Sequence, residues 1–244
     1  MRAILSFLYG LVAYSASLAT LLYLIGFCGN LLVPKSVDIG PQASWAQAVS
    51  INLALLALFG VQHSVMARAG FKRWWTSFVP AAVERSTYVL ATCAVLAVLF
   101  WLWVPIARPT VWRVQAPAGV LLLWSVFALG WLMVLISTFL INHFELFGLQ
   151  QVFARLRGRP MPPAHFGTPL LYRYVRHPLY AGLLLAFWSA PVMTAGHLLL
   201  AAGFSTYILI GIAFEERDLL RQFGERYRRY RAEVGMLLPR RSRT

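Results

Sequence analysis

Four apolar stretches, each about 20 residues or longer, run from Ala3 to Val33, Trp45 to Met66, Tyr88 to Ala107 and Ala118 to Ile141. Lipid offers no partner to a backbone amide, so stretches of this length cross a bilayer only as helices that satisfy their own hydrogen bonds. Of the 244 residues 59% are hydrophobic and only 12% charged, about half the charged share of a water-soluble domain. The expected fold is therefore all-α and integral to a membrane. The first stretch continues through LATLLYLIGF without a small-residue cleavage pattern, so it reads as a retained span rather than a signal peptide.

The formal net charge is +14. In a soluble chain that excess would point to nucleic acid, but here Lys and Arg sit between and after the apolar spans, where they set orientation and meet anionic lipid headgroups. Nucleic acid is not an expected partner; membrane lipids are. Cys28 and Cys93 both lie within apolar segments, with no spacing that suits a disulfide framework or a zinc site, and no metal is expected.

From Asn142 to His177 the chain turns polar, with five arginines and a single acid. Placing this loop in the cytosol also places the RAGFKRWW loop, the N-terminus and the C-terminal tail with its nine arginines there. The loop from Pro34 to Ser44 and the one carrying Arg108 and Arg113 then fall outside. Leu179 to Ala195 and His197 to Phe214 read as the two arms of a tight helical hairpin bent at Thr194 to Gly196. Beyond it, Leu220, Phe223, Tyr227, Tyr230 and Val234 fall on one face of a single amphipathic cytosolic helix. The expected architecture is four long transmembrane helices in residues 1–141, then a cofactor-binding region in 142–244 built from the loop, the hairpin and the amphipathic helix.

A hairpin returns its end to where it began, so Arg173, Arg176 and His177 should neighbour Glu215, Glu216, Arg217 and Asp218. Pro178 fixes a helix start just after His177, where free backbone donors suit an anion, and Arg176 can bind a carboxylate. The same residues also make ordinary interfacial anchors, and spacing alone leaves both readings open.

The run YRYVRHPLYAG, followed by FEERDLLRQFGERYRRYRAEVG, resembles the C-terminal half of the isoprenylcysteine carboxyl methyltransferase superfamily, whose pattern is RHPxYxG, a hairpin, then EE and FGxxYxxY. The likeness spans about the last 75 residues. It implies a site for S-adenosylmethionine at the cytosolic face, carried onto Tyr174, Arg176, His177, Tyr180, Glu215 and Glu216. The segments GVQHSVMARAGFKRWWT, ERSTYVLATCAVLAVLFWLWVP and STFLINHFELFGLQQV look like the methanethiol S-methyltransferase branch, which shares its appearance with NnrU-like membrane proteins. That resemblance implies methylation of a small thiol, methanethiol, to dimethyl sulfide in a bacterial inner membrane. Methylation of a prenylcysteine carboxylate or another lipophilic acceptor, a sterol-reductase-like nicotinamide enzyme, and a transporter or assembly factor are the competing readings.

A small alkanethiol has a pKa of about 10, so thiol chemistry near neutrality requires a base or a group that stabilises thiolate. His63, between Gln62 and Ser64 near the end of the second span, is the first candidate base, because an ionisable residue inside a membrane invites a functional reading. His143, with Asn142 and Glu145, is the second. Tyr88 can donate a hydrogen bond to a thiolate, and Glu84 and Arg85 beside it are expected to pair with each other or with headgroups. His165 and His197 receive no role. Trp74, Trp75, Trp101, Trp103 and Trp112 read as interfacial belts.

Overall fold

The structure is a computed structural model and describes residues 1–161 and 166–240. His165 and the last two arginines of the tail, Arg241 and Arg243, lie outside the described residues. In chain order the elements are α1 (Arg2–Gly29), α2 (Trp45–Ala67), α3 (Ala69–Trp75), α4 (Ala81–Leu102), β1 (Thr110–Arg113), α5 (Pro117–Ile141), α6 (His143–Leu146), α7 (Leu149–Leu156), a 3₁₀ turn at Leu170–Arg173, α8 (Pro178–Trp188), β2 (Val192–Thr194), α9 (Ala195–Phe223) and α10 (Glu225–Glu233). Among the described residues five helices, α1, α2, α4, α5 and α9, are long and apolar enough to cross a membrane. The fold is that of an all-helical integral membrane protein, and among the described residues the two short strands β1 and β2 pair with each other.

Three boundaries differ from the sequence expectation. The fourth helix begins at Ala81 rather than Tyr88, because Pro80 starts a helix whose first turns carry Glu84 and Arg85, charges that a hydropathy reading excludes. The hairpin arms are unequal. The first, α8, stops at Trp188, and the chain turns at Ser189 and bends at Pro191 before β2, whereas the second, α9, runs 29 residues and becomes a fifth candidate span. An 11-residue helix reaches about 16 Å, roughly half the depth of a bilayer's hydrocarbon core. Finally, the expected amphipathic helix is two pieces. Gly224, at φ 53° and ψ −126°, ends α9 and starts α10 in a backbone conformation that side-chain-bearing residues rarely adopt.

The chain forms two compact units: Met1–Val111 with Asn142–Pro162 and Thr194–Leu200, and Trp112–Ile141 with Pro163–Met193 and Ala201–Thr244. In the first, α4 packs against α1 and α2, and α7 lies on α1 and α4. Ser44 and Gln47 form a reciprocal capping box that starts α2. The fully buried Asn52 donates to the Val104 carbonyl at 2.8 Å and accepts from the Val104 amide at 2.9 Å, closing the backbone just past α4. Trp103 does not sit in an interfacial belt; it is fully buried and donates to the Val37 carbonyl at 3.1 Å, while Trp74 and Trp101 remain exposed.

In the second unit α5 packs on α8 at backbone contact. A Cβ on Gly130 would stand 2.6 Å from the Gly182 carbonyl oxygen and one on Gly182 would stand 2.6 Å from that of Gly130, so both positions require glycine. Trp131, Phe187 and Phe204 fill the space beside this contact, with Phe187 and Phe204 stacked at 5.2 Å. The outer faces of α2 and α5, among them Leu53, Leu58, Val61, Leu121, Leu122 and Leu129, are exposed apolar surface of the kind that faces lipid.

Candidate functional site

In the second unit the start of α8 and the end of α9 meet as a charged cluster. Pro178 occupies the first turn of α8, leaving His177 as its N-cap at an extended φ of −127°. Arg176 Nε donates to Glu216 Oε1 at 2.7 Å, and His177 Nε2 lies 3.2 Å from the same oxygen. Arg231 Nε pairs with Glu216 Oε2 at 3.2 Å. Tyr180 donates to Glu215 Oε2 at 3.0 Å, and its ring stacks on His177 at 5.6 Å. Glu216 is 6% exposed and committed on both oxygens, whereas the Glu215 side chain is 44% exposed. Five of the six residues assigned to this site by resemblance are therefore neighbours; Tyr174 stands apart at 65% exposure.

The segment after α10 completes the cluster in a way that residue types do not reveal. The Arg176 amide donates to the Gly235 carbonyl at 2.8 Å and the His177 amide to that of Met236 at 3.1 Å, while Val175 and Gly235 form a parallel bridge. Arg176 Nη1 also donates to the Val234 carbonyl at 2.5 Å and to the Arg231 carbonyl at 3.1 Å. Arg231 and this strand-like segment went unassigned in the sequence, where the only available signal was Gly235 just past a helical periodicity.

A pocket of about 390 Å³ opens beside Glu216, with Arg217 and Arg231 among apolar walls from Leu209, Ile212, Ala213, Leu220 and Met236. The Tyr227 hydroxyl is buried and has no hydrogen-bond partner among the described residues. Burial first, and then the negative charge of Glu216, pushes its phenol well above the ordinary tyrosine range, and burial pushes Tyr230 up to about 12. Both remain neutral at physiological pH. Tyr230 donates to the Tyr172 carbonyl at 2.6 Å, and Phe166 packs on Tyr227 and Tyr230.

In the first unit His63 stacks on Phe59 at 5.2 Å and lies 4.9 Å from the ring of Tyr88. The single proton of the Thr92 hydroxyl goes to the Tyr88 carbonyl at 3.0 Å, so its oxygen accepts from His63 Nδ1 at 3.1 Å. That assignment leaves the basic lone pair on Nε2. The Tyr88 hydroxyl donates, at 3.4 Å, to the His63 carbonyl. His143 is buried and its Nε2 lies 2.9 Å from the Tyr14 hydroxyl, and burial holds its imidazole below the usual histidine range. Arg85 and Glu84 form no ion pair with each other among the described residues. Instead Arg85 Nε donates to the Leu146 carbonyl at 2.7 Å and its guanidinium carbon lies 5.0 Å from the centre of the Tyr88 ring.

Among the described residues no group of three or more His, Cys, Asp or Glu could hold a metal ion. No family model and no solved structure matches the chain. It is similar to Methanethiol S-methyltransferase 1 of Bradyrhizobium diazoefficiens, 56% identical over 96% of this chain and 82% of that relative. It is 53% identical to Methanethiol S-methyltransferase of Mycobacterium tuberculosis over 98% of both chains. A more distant likeness, 32% identity over 70% of this chain and 62% of the relative, is to Nurim of Xenopus laevis. Identity above one half that extends across both the His63 region and the Arg176 to Glu216 region leaves no part of either cluster outside the match, and the chain belongs to the methanethiol S-methyltransferase family.

Proposed function

We propose that the chain transfers a methyl group from S-adenosylmethionine to methanethiol, releasing dimethyl sulfide, with His63 as the base that takes the thiol proton. The observation that carries this reading is the 53% identity over 98% of both chains to a protein named for that reaction. When bound, S-adenosylmethionine supplies an electrophilic methyl carbon on a sulfonium sulfur. Its carboxylate and its apolar parts suit a pocket that offers guanidiniums among apolar walls, and the unpartnered Tyr227 hydroxyl is a further neutral donor in the same unit.

Within that site Arg176, His177, Tyr180, Glu215 and Glu216 divide the work by exposure. Glu216 is consumed by Arg176, His177 and Arg231 and positions them, while Glu215 and the Tyr180 hydroxyl it holds are placed to meet the donor. Tyr174, at 65% exposure, stands outside this network. On the acceptor side His63 Nε2 receives the proton, Tyr88 and Thr92 hold the imidazole, and His143, fixed by Tyr14, is the second candidate base. Desolvation and orientation of the two sulfur centres supply much of the remaining acceleration. The bacterial relatives and the distribution of arginine support an inner-membrane protein with both termini in the cytosol.

Headspace detection of dimethyl sulfide from the purified protein given S-adenosylmethionine and methanethiol, against a control lacking the donor, tests the reading. Donor-dependent product is expected. Bound donor without product would move the acceptor to a larger lipophilic molecule.

A further inference from the structure

Arg85 takes part in none of the ion pairs among the described residues. It sits in the second turn of α4, near the end of the helix where the dipole disfavours a cation, and it is half-buried. Among the described residues no carboxylate lies within ion-pair distance of it, and Glu84, one position earlier, faces a different side of the helix. Removing a guanidinium partly from water without a counter-ion is unfavourable, and a purely apolar packing role would be better filled by a neutral side chain.

Its placement is nevertheless fixed. The 2.7 Å bond from Nε to the Leu146 carbonyl anchors one edge of the guanidinium. The Tyr88 ring has the Arg85 guanidinium carbon 5.0 Å from its centre and the His63 ring centre 4.9 Å away. A permanent cation and an imidazole whose basic nitrogen is Nε2 thus share one aromatic neighbour. Neither the Tyr88 hydroxyl, which donates to the His63 carbonyl, nor Thr92, which donates to the Tyr88 carbonyl, brings charge to this place.

We propose that Arg85 binds the acceptor as its thiolate, so that this cluster is a site for a small soft anion. The inference rests on the thiol methyltransferase reading. In the step it serves, the S–H bond of the thiol breaks, the electron pair stays on sulfur beside the guanidinium, and the proton passes to His63 Nε2. A guanidinium suits this because it stays charged at every working pH and is more weakly hydrated than an ammonium, which favours a polarisable anion in a partly dry site. Its ligand class is a short alkanethiolate rather than a carboxylate-bearing lipid.

The test compares wild type, Arg85→Gln and Arg85→Lys by initial rates of dimethyl sulfide release against methanethiol concentration and pH, with donor binding measured calorimetrically on the same preparations. For Arg85→Gln, kcat/KM for methanethiol is expected to fall about 100-fold, the loss typical of removing one anion-stabilising donor. Donor affinity stays within about twofold, and the rise of rate with pH moves up by about one unit or more, because the thiol now ionises without its counter-charge. Arg85→Lys keeps the wild-type position of that rise. A glutamine variant with kcat/KM within about threefold of wild type, or one that is slowed with no movement of its pH profile, overturns the proposal and leaves Arg85 as a brace for the Leu146 carbonyl. If Arg85→Gln loses donor binding, the lysine variant decides: an unmoved profile supports the proposal and an upward shift contradicts it. No product from the wild type would instead be a failure of the methanethiol reading itself.

Discussion

Glu216 meets two guanidiniums and an imidazole within 3.2 Å, whereas His63 meets a hydroxyl and two aromatic faces. The first cluster is dense: both Glu216 oxygens are held by its neighbours, and backbone carbonyls of the C-terminal segment take the two Arg176 Nη1 donors. In the second, the Thr92 hydroxyl orients the imidazole, and Arg85 has no carboxylate partner among the described residues. A dense network of this kind resists change and suits a rigid binding site. A cation without a carboxylate beside it can take up a new anion, as binding of a thiolate requires.

Breaking the dense cluster should have the largest effect. Glu216→Ala leaves Arg176 and Arg231 without their shared carboxylate, and removing one partner of a buried ionic network costs about 3–5 kcal/mol. The expected outcome is a lowered unfolding temperature together with loss of donor binding. An unaltered melting curve would show that the cluster contributes nothing to the fold. Next comes His63→Ala, which should lower kcat about 100- to 1,000-fold while the calorimetric donor affinity stays near wild type. Unchanged turnover removes His63 as the base.

The comparison also has an alkaline signature. Tyr172, Tyr227 and Tyr230 are all held above the ordinary tyrosine value, chiefly by burial, and Tyr230 reaches about 12. A phenol that ionises later in the folded than in the unfolded chain favours folding fully below the unfolded value of about 10 and loses that contribution as pH rises through the folded one. Thermal unfolding followed against pH should therefore fall between about pH 10 and 12, with a smaller fall in Tyr230→Phe. The smallest effects separate two tyrosines of one motif. Tyr180→Phe should weaken donor binding about fivefold, as expected for one hydrogen bond, and Tyr174→Phe by less than about twofold. Equal losses would erase the distinction drawn from their exposure.

The spans and the meeting of Arg176 and His177 with Glu215 and Glu216 were legible because hydropathy and helical return are properties of residue type and spacing. The continuation of α9 to Phe223 was not, since EERDLLRQ reads as the end of an apolar stretch, yet its Glu216 is neutralised by partners more than a dozen residues away. The bridge from Val175 to Gly235 is made by backbone groups, which leave no mark on side-chain pattern. Sequence adjacency offers Arg85 only Glu84 or a lipid headgroup as a partner; its bond to Leu146, 61 positions away, exists only in the fold.

The most direct test of the account is to supply S-adenosylmethionine carrying an isotopically labelled methyl group together with unlabelled methanethiol and to weigh the dimethyl sulfide released by the purified protein. The account predicts product with one labelled and one unlabelled methyl, formed by wild type and nearly abolished in His63→Ala. Label retained in a lipid-phase product, with none in dimethyl sulfide, would contradict it.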